Sequence, residues 1–352
     1  MTPVLSRRAL NRATLARQML LERKDISVLD AVSHLVGMQA QTPHTWYLGL
    51  ASRLSGFEPS QASTLLENGD LVRVVLMRGT IHLVSPSDAA GLRPLVQPIL
   101  DRDLQNNTMH SKPLKGVDLA RLADMGRRLL AEKALTAKQL GAELETHFPD
   151  SSPASLAYGV RNLLPLMQVP PRGLWGRSGP IAHSVLSASG SLSLDEMVLR
   201  YLAAFGPASV MDAQKWCGLT RLGEVFSRLR PDLVVFQDES GRELFDLPEA
   251  PRPSEEVPAP PRFLYDFDNV ALSHADRSRV LTKEFYEQVR PRKNFAPQVV
   301  LVDGFSAAEW DVEDEVLSVR AYGKLSRADR AAVKSEAEVV LGVYGVRKVV
   351  FV

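Results

Sequence analysis

Residues 194–248, LDEMVLRYLAAFGPASVMDAQKWCGLTRLGEVFSRLRPDLVVFQDESGRELFDLP, decide the fold class. Leu194, Met197, Val198, Tyr201, Leu202 and Phe205 fall at i, i+3, i+4, i+7, which predicts an amphipathic helix ended by Gly206-Pro207. Ser209 with Asp212 makes a capping box for a second helix, which Gly218 closes. Thr220 is placed to cap a third, with Leu222, Val225, Phe226 and Leu229 as its buried stripe and Pro231 as its stop. Residues 233–237 and 243–247 read as strands around Asp238–Arg242, a hairpin turn containing Gly241. Three short helices followed by a hairpin is the order of a winged helix, whose third helix commonly reads the DNA major groove.

Working outward, the same order recurs less sharply. Over 6–85, one helix runs through Leu15 and Leu20. Ser27 and Asp30 cap a second carrying Leu29, Val32, Leu35 and Val36, a third lies near Gln61–Asn68, and strands Val72–Met77 and Ile81–Val84 turn at Arg78-Gly79-Thr80. Over 88–183, a helix covers Arg121–Glu132, and Thr136 with Gln139 caps another. Leu156, Val160, Leu163, Leu164 and Met167 form a third stripe, and Gln168–Gly179 is the wing. Pro248–Pro261 reads as a stiff, proline-rich linker. Beyond it, runs at 263–267, 299–302, 316–321 and 348–352 predict strands, and 327–341 a helix. The expected class is α+β: winged-helix units at 1–87, 88–190 and 191–250, then the linker and a small β-rich, barrel-like domain at 251–352, packed on the third unit.

Of 352 residues, 45% are hydrophobic and 24% charged, an ordinary globular balance. No apolar run reaches the ~18 residues of a membrane span, and the basic N-terminus lacks the apolar core of a signal peptide. Cys217 is the only cysteine, which excludes an intrachain disulfide and a multi-cysteine zinc site; a reducing, cytoplasmic setting is expected. The net charge of +1 argues against a nonspecific DNA coat. The cations are nevertheless unevenly placed: Arg7, Arg8, Arg12, Arg17, Arg23 and Lys24 near the start, and Arg277, Arg279, Arg290, Arg292 and Lys293 in the last quarter. Such separation can make a one-sided field, although scattered solvated faces explain it equally well.

The compact polar constellation is Gly37-Met38-Gln39-Ala40-Gln41-Thr42-Pro43-His44. In a helix Gln39 and Gln41 diverge; in an extended segment they share a face. Pro43 biases Thr42 towards extended backbone, so two carboxamides can hold a water in one cleft. The competing reading is a polar helix end in solvent. His44 is placed for a phosphate or lesion contact, or for a surface role. His82, alternating with Thr80 and Val84, reads as a core histidine. Arg172, Trp175 and Arg177 suit phosphate contact with partial groove insertion, or a hairpin whose tryptophan covers the core. The acidic 238–243 wing is unsuited to a phosphate backbone, though Arg221 and Arg228 point outward nearby. Asp266, Asp268, Asp276, Arg277 and Arg279 read as carboxylate–guanidinium pairs fixing the C-terminal domain rather than a metal site, with Arg277 and Arg279 also candidate DNA contacts.

Taken together, GMQAQTP, VLMRGTIHLV (75–84), VPPRGLWG (169–176), FLYDFDN (263–269) and HADRSRV (274–280) resemble, in order, the AlkZ/YcaQ family of winged-helix DNA glycosylases. The resemblance runs from about residue 8 to the end. Gln39-Ala40-Gln41 matches the AlkZ side of the family, which carries Gln-hydrophobic-Gln where the other side has Asp in the last place. It assigns the catalytic role to Gln39 and Gln41 and marks Arg78 and His82 as motif positions, with Arg78 a candidate DNA or lesion contact. The implied activity is monofunctional hydrolysis of N-alkylated, cationic purines such as N7-alkylguanine in duplex DNA, extending to bulky adducts or interstrand crosslinks, in general repair or self-resistance. It implies a monomer that uses no cofactor. The alternative is a non-catalytic regulator built of winged helices, which would dimerise on an operator with half-sites one helical turn apart.

Overall fold

The computed structural model describes residues 2–289, 292 and 296–352; Arg290 and Lys293 of the C-terminal basic group lie outside them. The chain opens with β1 (Val4–Leu5) and α1 (Arg7–Arg17), capped by Ser6. Next come α2 (Val28–His34), capped by Ser27, β2 (Met38–Gln39), α3 (Trp46–Ala51), α4 (Pro59–Asn68), and the hairpin β3 (Val72–Val75) and β4 (Ile81–Val84). Here the structure differs from the sequence expectation. The helix through Leu15 is not the first helix of this unit, because α1 packs against residues 194–205 instead. The three helices before the hairpin are α2, α3 and α4, and α3 was not anticipated. Its residues, WYLGLA, are buried all round, so no amphipathic period marks them.

A long helix without a sequence forecast, α5 (Pro86–Asn106), leads to α6 (Leu119–Glu132), β5 (Leu135–Thr136), α7 (Ala137–Glu145), α8 (Pro153–Leu163), β6 (Leu166–Gln168) and β7 (Ala182–Val185). Met167, read as part of a helical stripe, lies in β6. The hairpins of residues 72–84 and 166–185 are not separate wings. Arg73 pairs with Gln168 and Val74 with Met167, giving one six-stranded sheet in the order β2-β4-β3-β6-β7-β5.

Helices α9 (Leu194–Phe205), α10 (Val210–Cys217) and α11 (Gly223–Leu229) precede the hairpin β8 (Val234–Asp238) and β9 (Glu243–Asp246). Ser209 and Asp212 form the capping box of α10, and Gly218 ends it in the left-handed region. Thr220 caps nothing: α11 begins after Leu222, with no side-chain cap. The core of these helices continues into Val36, Val72, Val74 and Val84, so the first and last helical segments share one interior.

The C-terminal part contains β10 (Arg262–Leu264), α12 (Asn269–Leu272), α13 (Lys283–Val289), β11 (Gln298–Val302), β12 (Phe305–Glu313), β13 (Val316–Ala321), α14 (Arg327–Tyr344) and β14 (Lys348–Phe351). It is an open five-stranded sheet in the order β10-β11-β12-β13-β14, not the barrel expected, since its two outer strands do not meet. Residues 273–279 meet the third unit, His274 and Arg279 reaching the carbonyls of Phe205 and Pro207, while the sheet core takes in Leu48 and Ala51 of α3 and a second cluster takes in Leu15 and Leu20.

The early arginines explain how the proline-rich stretch is held. Arg8, Arg12 and Arg17 donate to the carbonyls of Glu255, Val257 and Pro251. Arg17 also makes a fully buried two-armed pair with Asp246 at 2.6 and 2.8 Å, while Arg8 and Arg12 share Asp303. Arg23 pairs with Glu336. Most of the N-terminal basic group is therefore internal mortar, not a DNA-facing field. Among the described residues no helix is long and apolar enough to cross a membrane.

Candidate active site

The segment between α2 and α3 turns on Val36 and Gly37, at φ 53° and 88°. Val36 bears strain there. Gly37 has no substitute, because a Cβ would lie 2.5 Å from Val84 Cγ1. This turn ends the helix and delivers Met38–Gln39 as a strand against β4, with Gln39 opposite His82. Extended backbone is what Gln39 and Gln41 need to share a face.

Both carboxamides lean on the same turn. Gln39 is buried, and its Oε1 accepts from Arg78 Nη2 at 2.6 Å. Gln41 is exposed, and its Oε1 accepts from the Ile81 backbone N–H at 3.3 Å. Neither arginine nor a backbone N–H can accept a hydrogen bond, so both amide orientations are chemically decided. Three further side chains hold the backbone between them. Asn269 donates to the Gly37 carbonyl at 2.8 Å and accepts from Gln39 N. Arg73 Nη2 donates to the Ala40 carbonyl at 2.8 Å. Asp266 accepts from the hydroxyls of Thr42 and Thr45.

Arg73 and Arg78 have no carboxylate against them. Burial pulls each guanidinium down to about 10; Arg172 adds repulsion at Arg73 and Arg277 at Arg78. Arg73 is almost fully enclosed, and its Nε and Nη1 have no hydrogen-bond partner. Arg78 sits at φ 57°, a costly conformation for a residue with a Cβ, and its other arm donates to the Trp216 carbonyl in the last turn of α10. His82 is buried with Nδ1 2.9 Å from the Thr80 carbonyl; burial and Arg78 push its pKa down to about 3, so it is neutral.

The remaining candidates divide. His44 is half-buried, facing the carbonyls of Arg177 and Leu174, with its pKa lowered mainly by burial. Trp175 does not stand free for groove insertion. Its ring packs 4.9 Å from Tyr47 and 5.4 Å from Tyr344, sealing the seam between the first helices and the C-terminal sheet. Arg177 is exposed and Arg172 half-buried, donating to the Gly179 carbonyl at 3.3 Å. Arg277 is half-buried on the wall of an apolar cavity of about 470 Å³ that also takes in Asp266, Phe267 and Phe285. Arg279 is not a surface contact: it is buried and donates to the Pro207 carbonyl at 3.0 Å, near Asp212. The acidic residues of 266–276 reach outside their own stretch: Asp268 takes both arms of Arg53 at 2.7 and 2.9 Å, and Asp276 meets Arg242. Sequence reasoning missed Arg73 and Asn269. A single charge inside the apolar run LVRVVLM was a readable sign of the first; the second closes the motif FLYDFDN, but no local pattern gave it a contact.

A family model described as "DNA glycosylase AlkZ-like" matches residues 32–342. The interstrand DNA cross-link repair glycosylase of Streptomyces sahachiroi is 26% identical, over 94% of this chain and 95% of its own. The solved structure of Streptomyces sahachiroi DNA glycosylase AlkZ superposes with a TM-score of 0.80 at 22% identity, covering 99% of this chain and 100% of that one. The fold is thus shared along the whole length, and this chain belongs to the AlkZ-like DNA glycosylase family.

Proposed function

We propose that this chain hydrolyses the N-glycosidic bond of N-alkylated, cationic purines in duplex DNA, with Gln39 and Gln41 positioning the water. The observation that carries the reading is the anchoring of both carboxamides, by their oxygens, to the single turn Arg78–Ile81. Alkylation at N7 of guanine makes the base a good leaving group. The C1′–N9 electron pair neutralises the departing purine, water forms the new bond to C1′, and its proton passes to solvent. No strong acid is required, so two neutral amides that orient one water suffice. Neutral groups also avoid repelling phosphates.

The helix–hairpin order supports reading residues 1–87, 88–190 and 191–250 as winged-helix units. The first carries the chemistry, Arg172, Arg177 and Arg277 meet the DNA, and 251–352 braces the first unit. The crosslink activity named for the Streptomyces sahachiroi relative and the apolar cavity lined by Asp266, whose carboxylate holds Thr42 next to Gln41, favour bulky or crosslinked adducts among the substrates.

The test is single-turnover base release from duplexes carrying one N7-methylguanine, one bulky N7 adduct or one crosslink. Gln39→Ala and Gln41→Ala are expected to lower the rate ~100-fold or more while DNA affinity persists. Absence of abasic product from every adduct, with binding intact, would return the chain to the regulator reading.

A further inference from the structure

We propose that Arg78 is the positioning residue for Gln39. Its guanidinium bridges the C-terminus of α10 to the Gln39 carboxamide, fixing that amide by its oxygen and leaving its NH2 as the free face that holds the water. This inference rests on the glycosylase reading above and extends it to a residue outside the Gln-x-Gln motif.

Three observations carry it. The bond from Nη2 to Gln39 Oε1 is 2.6 Å, and arginine can only donate. Gln39 is therefore held in one of its two amide orientations, with one oxygen lone pair occupied by a cation. Among the described residues its Nε2 has no hydrogen-bond partner within the protein. The other arm donates to the carbonyl of Trp216, at the negative end of α10. That carbonyl, not a carboxylate, is the negative group that meets the guanidinium.

Finally, the chain tolerates real cost to place this side chain. Arg78 lies at φ 57°. Gly218, left-handed at φ 87°, gives the turn room, since a Cβ there would stand 3.1 Å from Arg78 Cα. Strain and a half-buried cation without a carboxylate that converge on a reactive group are signs of positioning.

A double-mutant cycle tests this on duplex DNA carrying one N7-alkylguanine, with wild type, Arg78→Ala, Gln39→Ala and the double variant. Arg78→Ala is expected to slow single-turnover release ~10- to 100-fold with DNA affinity within about threefold of wild type. In the Gln39→Ala background the same change should alter the rate less than about twofold, because its route of action is already gone. Added guanidinium at sub-denaturing concentration should restore part of the Arg78→Ala rate and none of the Gln39→Ala rate. Arg78→Lys, which keeps the charge but cannot bridge both acceptors, should fall between and serves if the alanine variant fails to fold. Additive losses, or a loss confined to affinity with a salt slope shallower by about 1, would overturn the proposal in favour of a direct DNA contact. Should wild type release no base, the glycosylase reading falls separately. The positioning claim is then read from the Gln39 side-chain NH2 resonance, which must shift and broaden in Arg78→Lys; an unchanged resonance would overturn it.

Discussion

Residues 28–84 and residues 194–246 run through the same order of helices and hairpin, yet they treat charge differently. In the later segment the helix boundaries follow local rules, and Arg221 at φ 63° is its one non-glycine residue in left-handed backbone. Helices start at Ser193 and Ser209 with reciprocal caps, and α10 stops at a left-handed glycine. Arginines there meet carboxylates at the surface: Arg228 with Asp195, Arg230 with Glu243, and Arg242 with Asp238. In the earlier segment Val36 and Arg78 occupy left-handed backbone, and the buried Arg73 and half-buried Arg78 have no carboxylate against them. The difference teaches where the chain spends stability: one segment is scaffold, and the other gives up local preference to hold two glutamines on one turn.

The sharpest attempt to break this contrast is at Asp268. It neutralises Arg53, and both side chains are buried beneath the site. Asp268→Ala strands a buried cation and should cost ~3–5 kcal/mol, read as a lower denaturant midpoint. A small loss would mean that this half of the molecule is not finely supported.

Next comes acid sensitivity. His82 is held neutral, with a folded pKa of about 3 against an ordinary 6.5. A histidine whose pKa is depressed by folding lends its full stability above the unfolded value and loses it as pH falls from about 6.5 towards 3. Between pH 7 and pH 5 this group alone should remove ~2 kcal/mol. His82→Gln should flatten that part of the curve of unfolding free energy against pH; an unchanged slope would show that His82 is not the group responsible.

A smaller effect, and one that separates function from stability, is expected at Arg73. Arg73→Met removes a buried cation lacking a counter-charge, so the melting temperature should hold or rise. Release of the Ala40 carbonyl should slow base excision ~10-fold, about 1.4 kcal/mol of barrier. A variant that loses stability and keeps its rate would reverse the assignment of this arginine. Smallest of all is Arg228→Ala in the later segment. Its exposed pair with Asp195 should leave both the melting temperature and excision unchanged. A clear loss of DNA affinity there would give α11 a role in binding that its surface pairing argues against.

By itself the sequence determined what neighbours in the chain can decide. The capping boxes at Ser209 and Thr136, the hairpin turning at Gly241 and the break before an extended Gln39–Gln41 are local events, set by side chains within four residues of the backbone they satisfy. The motif Gln-Ala-Gln was legible for the same reason. Tertiary structure alone decided what each cation does. Arg12 and Arg17 look, in sequence, like a DNA-facing group, and Arg73 like an interruption in a strand. The first two are buried against Asp303 and Asp246, and the third against the carbonyl of Ala40. It also merged two hairpins into one sheet, opened the expected barrel, and brought Gln39 from one segment and Trp216 from another to either side of the Arg78 guanidinium. The physical reason is reach. A cap finds its partner within one helical turn, whereas the destiny of a guanidinium depends on which acceptor the folded chain places beside it, hundreds of residues away.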